Sequence, residues 1–260
     1  LYFRDLLYLS DKYDQTIGGA YMSLRRPLGE YTSLSFKASL ESYEIDVDSD
    51  SSDTLKKEEG EYDRALFAVN YVINTTDSQY LTRRGHRISL GTDVSFGDVE
   101  TYGVQLSGSK YFLLPFDTIL SVNGQYRSVD GNDNVPIFER EFLGGARSLR
   151  GYEYREASSP ALRDAQGEPL GGRTAAYFTA EYSFPLFNLK KFRGHVFYDG
   201  GMLSNDAWDF GGDYLSDYGI GLDLYLPMGP IRLDVAWPMQ TNEWVEDKMR
   251  FQFNMGYQFR

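Results

Sequence analysis

Near the C-terminal end of this chain, three consecutive segments alternate with period two, each about ten residues long, the length a tilted strand needs to cross a bilayer. Tyr218, Ile220, Leu222, Leu224 and Leu226 share one face, with Gly219, Gly221 and Asp223 on the other. Ile231, Leu233, Val235 and Trp237 oppose Arg232 and Asp234. Phe251, Phe253, Met255, Tyr257 and Phe259 oppose Arg250, Gln252, Asn254, Gln258 and Arg260. Large apolar side chains backed by amides and charges suit lipid on one side and water on the other, whereas the strands of a soluble sandwich are usually shorter.

The same alternation recurs at 196–202, 176–184, 120–126, 104–114, 88–96, 65–73 and 34–40, and more weakly at 17–25 and 2–9, for about twelve strands in all. The connections also fall into two classes. Tight turns are expected at 27–30, 115–117, 187–190 and 227–230, and long loops at 46–61, 130–172, 204–213 and 240–247. Short periplasmic turns and long extracellular loops define an outer-membrane barrel, and by this phase both termini lie in the periplasm. The predicted fold is therefore all-β, a transmembrane antiparallel β-barrel.

Composition agrees. The 21 Tyr, 17 Phe and 26 Gly suit strands and turns, and no run approaches the roughly 20 apolar residues of a membrane helix. A mean hydropathy of -0.45 does not oppose a membrane location, because a barrel averages its lipid-facing and lumen-facing residues. A net charge of -12 argues against a nucleic-acid partner. The lack of cysteine fits an oxidising compartment. The start, Leu1-Tyr2-Phe3-Arg4, has neither a basic nor an apolar signal region, which implies that any targeting signal has been removed. The acidic run from Asp46 to Glu61 reads as a solvated loop, with divalent-cation contact to lipopolysaccharide as its functional alternative.

An enzyme is not expected. Barrel hydrolases need a Ser/His or Asp/His arrangement, and the only histidines are His86, beside a turn, and His195, in the polar lumen wall. No metal-ligand spacing or phosphate loop is evident, so neither metal nor cofactor is expected.

The longest loop carries Phe142-Leu143-Gly144-Gly145-Ala146-Arg147-Ser148-Leu149-Arg150-Gly151-Tyr152, unusually rich in Gly and Arg for an acidic chain. On a period-two reading Glu181, with Tyr177, Thr179 and Ser183, faces the lumen, as does Asp199 with Phe197 and His195. An arginine lowered by the loop would pair with either carboxylate through a fork that lysine lacks, forming a latch that fixes the loop inside the barrel. An Arg-Gly dipeptide alone is usually only a turn, and lumen carboxylates occur in any porin. The case rests on their conjunction.

That conjunction resembles a known family. Leu149, Arg150, Gly151 and Tyr152 are similar to the Val-Arg-Gly-Phe/Tyr motif of the BamA/TamA superfamily of outer-membrane assembly factors, whose loop folds back into the lumen. Phe197-Tyr198-Asp199-Gly200-Gly201 resembles its Phe-x-Asp-x-Gly motif, and Glu181 matches the acidic residue on the strand between. Phe251-Gln252-Phe253-Asn254-Met255-Gly256-Tyr257-Gln258-Phe259 resembles the C-terminal β-signal, although ordinary porins share it.

The resemblance implies an insertase that folds and inserts client β-barrel proteins into the outer membrane through a lateral seam. Its terminal strand would offer Phe251, Phe253, Gly256, Tyr257 and Phe259, with Gly256 a weak point; the lumen-wall partners of the loop would be Glu181, Phe197, Asp199 and Gly201. Implied partners are client barrels, the bilayer with its lipopolysaccharide, and accessory BAM lipoproteins acting through POTRA domains. Family barrels have roughly 16 strands, so residues 1–260 would be the last twelve, without POTRA domains and first strands; a natural twelve-stranded barrel is the alternative. The rival functions are a passive porin-like transporter, which needs an open lumen, and a family member that secretes proteins or inserts autotransporters, which POTRA number would distinguish.

Overall fold

In a computed structural model, residues 1–6, 10–132, 134–187, 189–226 and 229–256 are described. They form twelve strands: β1 (Tyr2–Leu6), β2 (Tyr13–Pro27), β3 (Thr32–Val47), β4 (Gly60–Asn74), β5 (Gly85–Gly97), β6 (Thr101–Leu114), β7 (Thr118–Gly131), β8 (Thr174–Leu186), β9 (Leu189–Ser204), β10 (Asp213–Leu226), β11 (Gly229–Pro238) and β12 (Arg250–Met255). All join one sheet in sequence order, each antiparallel to the next. Among the described residues no helix is long and apolar enough to cross a membrane.

Strands β2 to β10 run 13 to 16 residues. At about 3.3 Å per residue, each suffices to cross the hydrocarbon layer even when tilted. Of the two outermost strands, 5 residues of β1 and 6 of β12 are described, next to residues 7–9 and 257–260, which lie outside the described residues. Among the described residues no ladder joins β12 to β1. The sheet nevertheless curls around a lumen, for the hydroxyl of Tyr80, in the β4–β5 connection, hydrogen-bonds the carbonyl of Tyr225 at the end of β10.

Burial runs opposite to that of a soluble protein. Ile220 on the outer face of β10 is 54% exposed, whereas Asp223 on its lumen face is 2% exposed. The alternation read from the sequence thus turns the large apolar side chains outward, and the charges meet one another inside.

The connections follow the expected two classes with two exceptions. The β4–β5 connection, 75–84, is long although it lies at the tight-turn rim, where Asp77 accepts hydrogen bonds from the backbone of Arg83 (3.0 Å) and Arg84 (3.2 Å) and orders it. The β5–β6 connection, 98–100, is tight although it lies at the long-loop rim; Gly97 turns it at φ 127°, where a Cβ would stand 2.5 Å from the carbonyl oxygen of Asp63.

The acidic run departs from a purely solvated loop. Its first residues extend β3, a short helix α1 (Asp53–Lys56) follows with Ser52 capping the backbone of Leu55, and Glu58 turns inward. Glu58 accepts from the backbone N–H of Ile137 at 3.0 Å and pairs with Arg140 at 3.2 Å. The acid is buried because the long β7–β8 loop, 132–173, lies over it. That loop packs one apolar cluster on each side: Ile137 with Tyr13, Ile45 and Leu55, and Leu143, Leu149 and Tyr152 with Leu203, Leu215 and Val245.

Candidate functional site

The β7–β8 loop dives into the lumen at 142–152. Gly144 and Gly145 both adopt positive φ, 115° and 84°, and a Cβ on Gly144 would stand 2.2 Å from the carbonyl oxygen of Glu153. The resulting turn is closed by the N–H of Gly145 on the carbonyl of Tyr152 (3.0 Å) and by the N–H of Gly144 on the hydroxyl of Ser148 (2.8 Å). Leu149 then packs into the apolar cluster while Arg150 projects towards the wall.

Arg150 is 0% exposed. Its Nε donates to Asp199 Oδ2 at 2.7 Å and its Nη2 to Asp199 Oδ1 at 2.9 Å, a two-pronged pair that matches the carboxylate plane. Nη1 reaches Glu181 and Asp234, each at 3.3 Å. The guanidinium carbon lies 3.2 Å from the ring centroid of Phe197, so the cation also sits on an aromatic face. Two carboxylates from adjacent strands and a third from β11 therefore converge on one loop arginine.

The neighbouring motif residues have separate tasks. The hydroxyl of Tyr152 lies 3.1 Å from the carbonyl of Ser216 and 3.0 Å from that of Gln240; burial pushes its pKa up to about 12, so the group stays a donor. Gly151 abuts β10, where a Cβ would come within 2.5 Å of Asp217 Cβ and 2.9 Å of the Pro238 nitrogen. Gly151→Ala is expected to lift the turn from the wall at a cost of about 1–3 kcal/mol. Urea unfolding of the liposome-reconstituted protein checks this, and an unchanged midpoint would contradict the close packing.

A second layer of charge supports the first. Arg232 on β11 hydrogen-bonds Glu181 and lies 3.1 Å from Asp234. His195 sits between two acids, with Nδ1 2.9 Å from Asp223 and Nε2 2.7 Å from Asp234. Gly221, opposite His195 in the ladder, leaves room for this contact: a Cβ there would stand 2.1 Å from Asp234 Oδ1. Glu181, His195 and Asp223 present ligand atoms within 4.8 Å of one another, but the guanidinium of Arg232 lies among them and already supplies the positive charge.

Glu181, Phe197 and Asp199 thus surround Arg150, and Gly201 lies under the loop, where a Cβ would meet Leu149 Cδ1 at 2.8 Å. Sequence reasoning missed Asp234, Arg232, Asp223 and Asp217. Each shows as lumen-facing from its period, yet their convergence depends on ladder register, which sets Asp223 against Arg232 and Asp217 against Asp199. On β12, Phe251 and Phe253 point outward and Gly256 follows the strand at φ 103°; Tyr257 and Phe259 lie outside the described residues. The terminal strand also meets the loop, since the side-chain amide of Gln252 donates to the carbonyls of Arg150 (3.1 Å) and Tyr152 (3.3 Å).

Residues 2–259 match the Omp85 superfamily domain. The chain is 28% identical over 97% of its length to outer membrane protein assembly factor BamA of Nitratidesulfovibrio vulgaris, of which it covers 33%. It is 24% identical over 95% of its length to the BamA of Neisseria meningitidis serogroup B, of which it covers 37%. It therefore spans about a third of the length of these curated relatives. Among solved structures, it superposes on BamA from Haemophilus ducreyi lacking POTRA domains 1-3 with a TM-score of 0.80 at 18% identity, covering 96% of this chain and 56% of that one. On CdiB from Acinetobacter baumannii the TM-score is 0.63 at 16% identity, covering 94% and 42%.

Proposed function

The chain belongs to the Omp85 superfamily and has its outer-membrane β-barrel fold, and from that membership we propose that it is the C-terminal barrel part of an outer-membrane protein assembly factor, an insertase that folds client β-barrels through a lateral seam. The observation that carries this reading is the lumenal latch. Arg150 is fully buried on Asp199, and the same turn hydrogen-bonds Gln252 on β12. The loop thereby touches the edge strand that would border the seam.

On this reading the long-loop rim is extracellular, the tight-turn rim and both ends of the chain are periplasmic, and the residues 130–172 form an extracellular loop returning into the lumen. The backbone edge of β12 is the element that would template a client strand, since strand addition satisfies groups that lipid cannot. No nucleotide or cofactor is required: the work is distortion of the bilayer beside the seam and alignment of the incoming edge. Client barrels are the direct partners, with outer-membrane lipid and lipopolysaccharide around the wall; accessory lipoproteins would act through POTRA domains.

A passive transporter needs an open lumen, which a loop ion-paired to the wall obstructs. The test is the folding rate of a urea-unfolded client barrel added to liposomes bearing the full natural chain, with an entrapped small solute as a second readout. Folding at least about tenfold faster than in empty liposomes, equivalent to about 1.4 kcal/mol off the barrier, with the solute retained, is expected. A client rate equal to that in empty liposomes, with the solute released, would replace this proposal by a porin-like one.

A further inference from the structure

The β9–β10 loop, 205–212, does not join the other loops over the lumen. It folds outward and crosses the outer faces of β6, β7 and β8. Ser128 and Thr174 belong to the outward-facing series that includes Val122, Tyr126 and Phe178, where apolar side chains are the rule, yet both hydroxyls are fully buried. The N–H of Trp208 donates to the Ser128 hydroxyl at 2.9 Å, the Thr174 hydroxyl donates to the carbonyl of Asp206 at 2.9 Å, and the two hydroxyls lie 2.9 Å apart. Asp209 closes the loop on itself by accepting from Ser204 (2.7 Å) and from the backbone of Gly211 (3.0 Å). The wall thus carries a polar dock that holds a strap against its outside.

The strap presents aromatic rings. Trp208 adopts φ 63°, a conformation uncommon for an aromatic residue, and stacks on Tyr102 with centroids 6.2 Å apart and planes at 21°. Phe210 stacks on Tyr126 at 5.1 Å and 13°. Trp208 nevertheless remains 41% exposed and Phe210 65% exposed, and the rings of Phe178, Tyr198 and Tyr214 are exposed on the same outer face of β8 to β10. Polar groups border the same patch: the Tyr102 hydroxyl donates to Asp130, which also pairs with Arg173. Rings directed outward below a charged rim suit the boundary between headgroups and acyl chains, where amphipathic aromatics partition.

We infer that residues 205–212 form a lipid-binding strap, docked on Ser128 and Thr174, that inserts Trp208 and Phe210 into the headgroup–acyl boundary of the leaflet at the long-loop rim. This rests on the reading of the chain as a membrane-spanning barrel. The strap widens the lipid-contacting surface over β6–β8 with a loop instead of with strand residues, and fixes the depth of that part of the wall.

The chain has three tryptophans, Trp208, Trp237 and Trp244, so fluorescence isolates the strap. The full natural chain carrying Trp237→Phe and Trp244→Phe, with any tryptophan outside residues 1–260 also replaced by Phe, is reconstituted into phosphatidylcholine vesicles brominated either near the headgroup or near the methyl ends. Quenching of Trp208 about twofold stronger by the shallow bromines is expected. Emission untouched by either bromine position but quenched by aqueous acrylamide would overturn the strap. A companion protein retaining only Trp237, on an outward strand position, separates the two failures: if Trp237 is quenched while Trp208 is not, the barrel stands and the strap falls, and if neither is quenched, both fall. Ser128→Ala with Thr174→Val should abolish shallow quenching of Trp208 while the β-sheet circular dichroism is kept; unchanged quenching would overturn the docking role of the hydroxyls.

Discussion

Replacing Arg150 with methionine is expected to destabilise the barrel by about 3–5 kcal/mol, because it removes the cation from a buried ion pair and leaves the acid behind. Glu181 and Asp234 keep Arg232, but Asp199 loses both prongs of its partner and is left opposite Asp217, a second buried carboxylate. Arg150→Lys restores the charge without the fork and is expected to recover only part of the loss. Adding Asp199→Asn to Arg150→Met removes the uncompensated charge, so the double variant should be more stable than Arg150→Met alone, and the double-mutant cycle should give a coupling of about 1–3 kcal/mol. Urea unfolding in liposomes of Arg150→Met, Arg150→Lys, Asp199→Asn and the double variant reads these effects and closes the cycle. A loss below about 1 kcal/mol for Arg150→Met would mean that the pair is dispensable, as exposed pairs usually are.

The loop is held from the opposite wall as well, and loss of that anchor should be nearly as costly. Arg64 on β4 is buried against Glu41 on β3, with Nη2 2.8 Å and Nε 3.0 Å from the same oxygen, and also hydrogen-bonds Glu139 of the loop and the Tyr43 hydroxyl at 2.7 Å. Arg64→Met leaves Glu139 without its ion pair and Glu41 with only Lys37, at 3.4 Å. Glu41 retains the hydroxyls of Tyr2 and Tyr43 at 2.9 and 3.0 Å, so the expected loss lies towards the lower end of the buried-pair range, about 3 kcal/mol. Limited proteolysis distinguishes the two anchors. Arg64→Met should open the loop first around 134–141, beside Ile137–Glu139, and Arg150→Met around 145–155. An identical first cut in both variants would show that the loop releases as one unit.

What the sequence revealed follows the range of each interaction. Period-two alternation is local, so the strands and their faces were legible, including the lumen orientation of Glu181 and Asp199. The loop arginine was legible because its segment is rich in Gly and Arg and resembles a family motif, and Gly144 and Gly145 there make the tight turn. Register was not legible, and with it went Asp234, whose contact with Arg150 spans 84 residues, and the Arg64–Glu139 pair, 75 residues apart. The acidic run misled for the same reason. Nothing near Glu58 in the chain indicates that Arg140 will cover it. Ser128 and Thr174 lie just outside the segments 120–126 and 176–184 read as strands, and the strap that covers them is set by contacts 32 and 80 residues away in the chain.

The latch links the loop to β12 through Gln252, and in the proposed insertase this linkage serves client folding as well as stability. The direct measurement is the folding rate of a client barrel in liposomes bearing the full natural chain with Arg150→Lys, at a temperature where circular dichroism shows the variant fully folded. A rate reduced at least about tenfold, back towards that of empty liposomes, is the predicted result. An unchanged rate, with the loop released to protease, would show that the arginine only stabilises the barrel and that client folding does not depend on the latch.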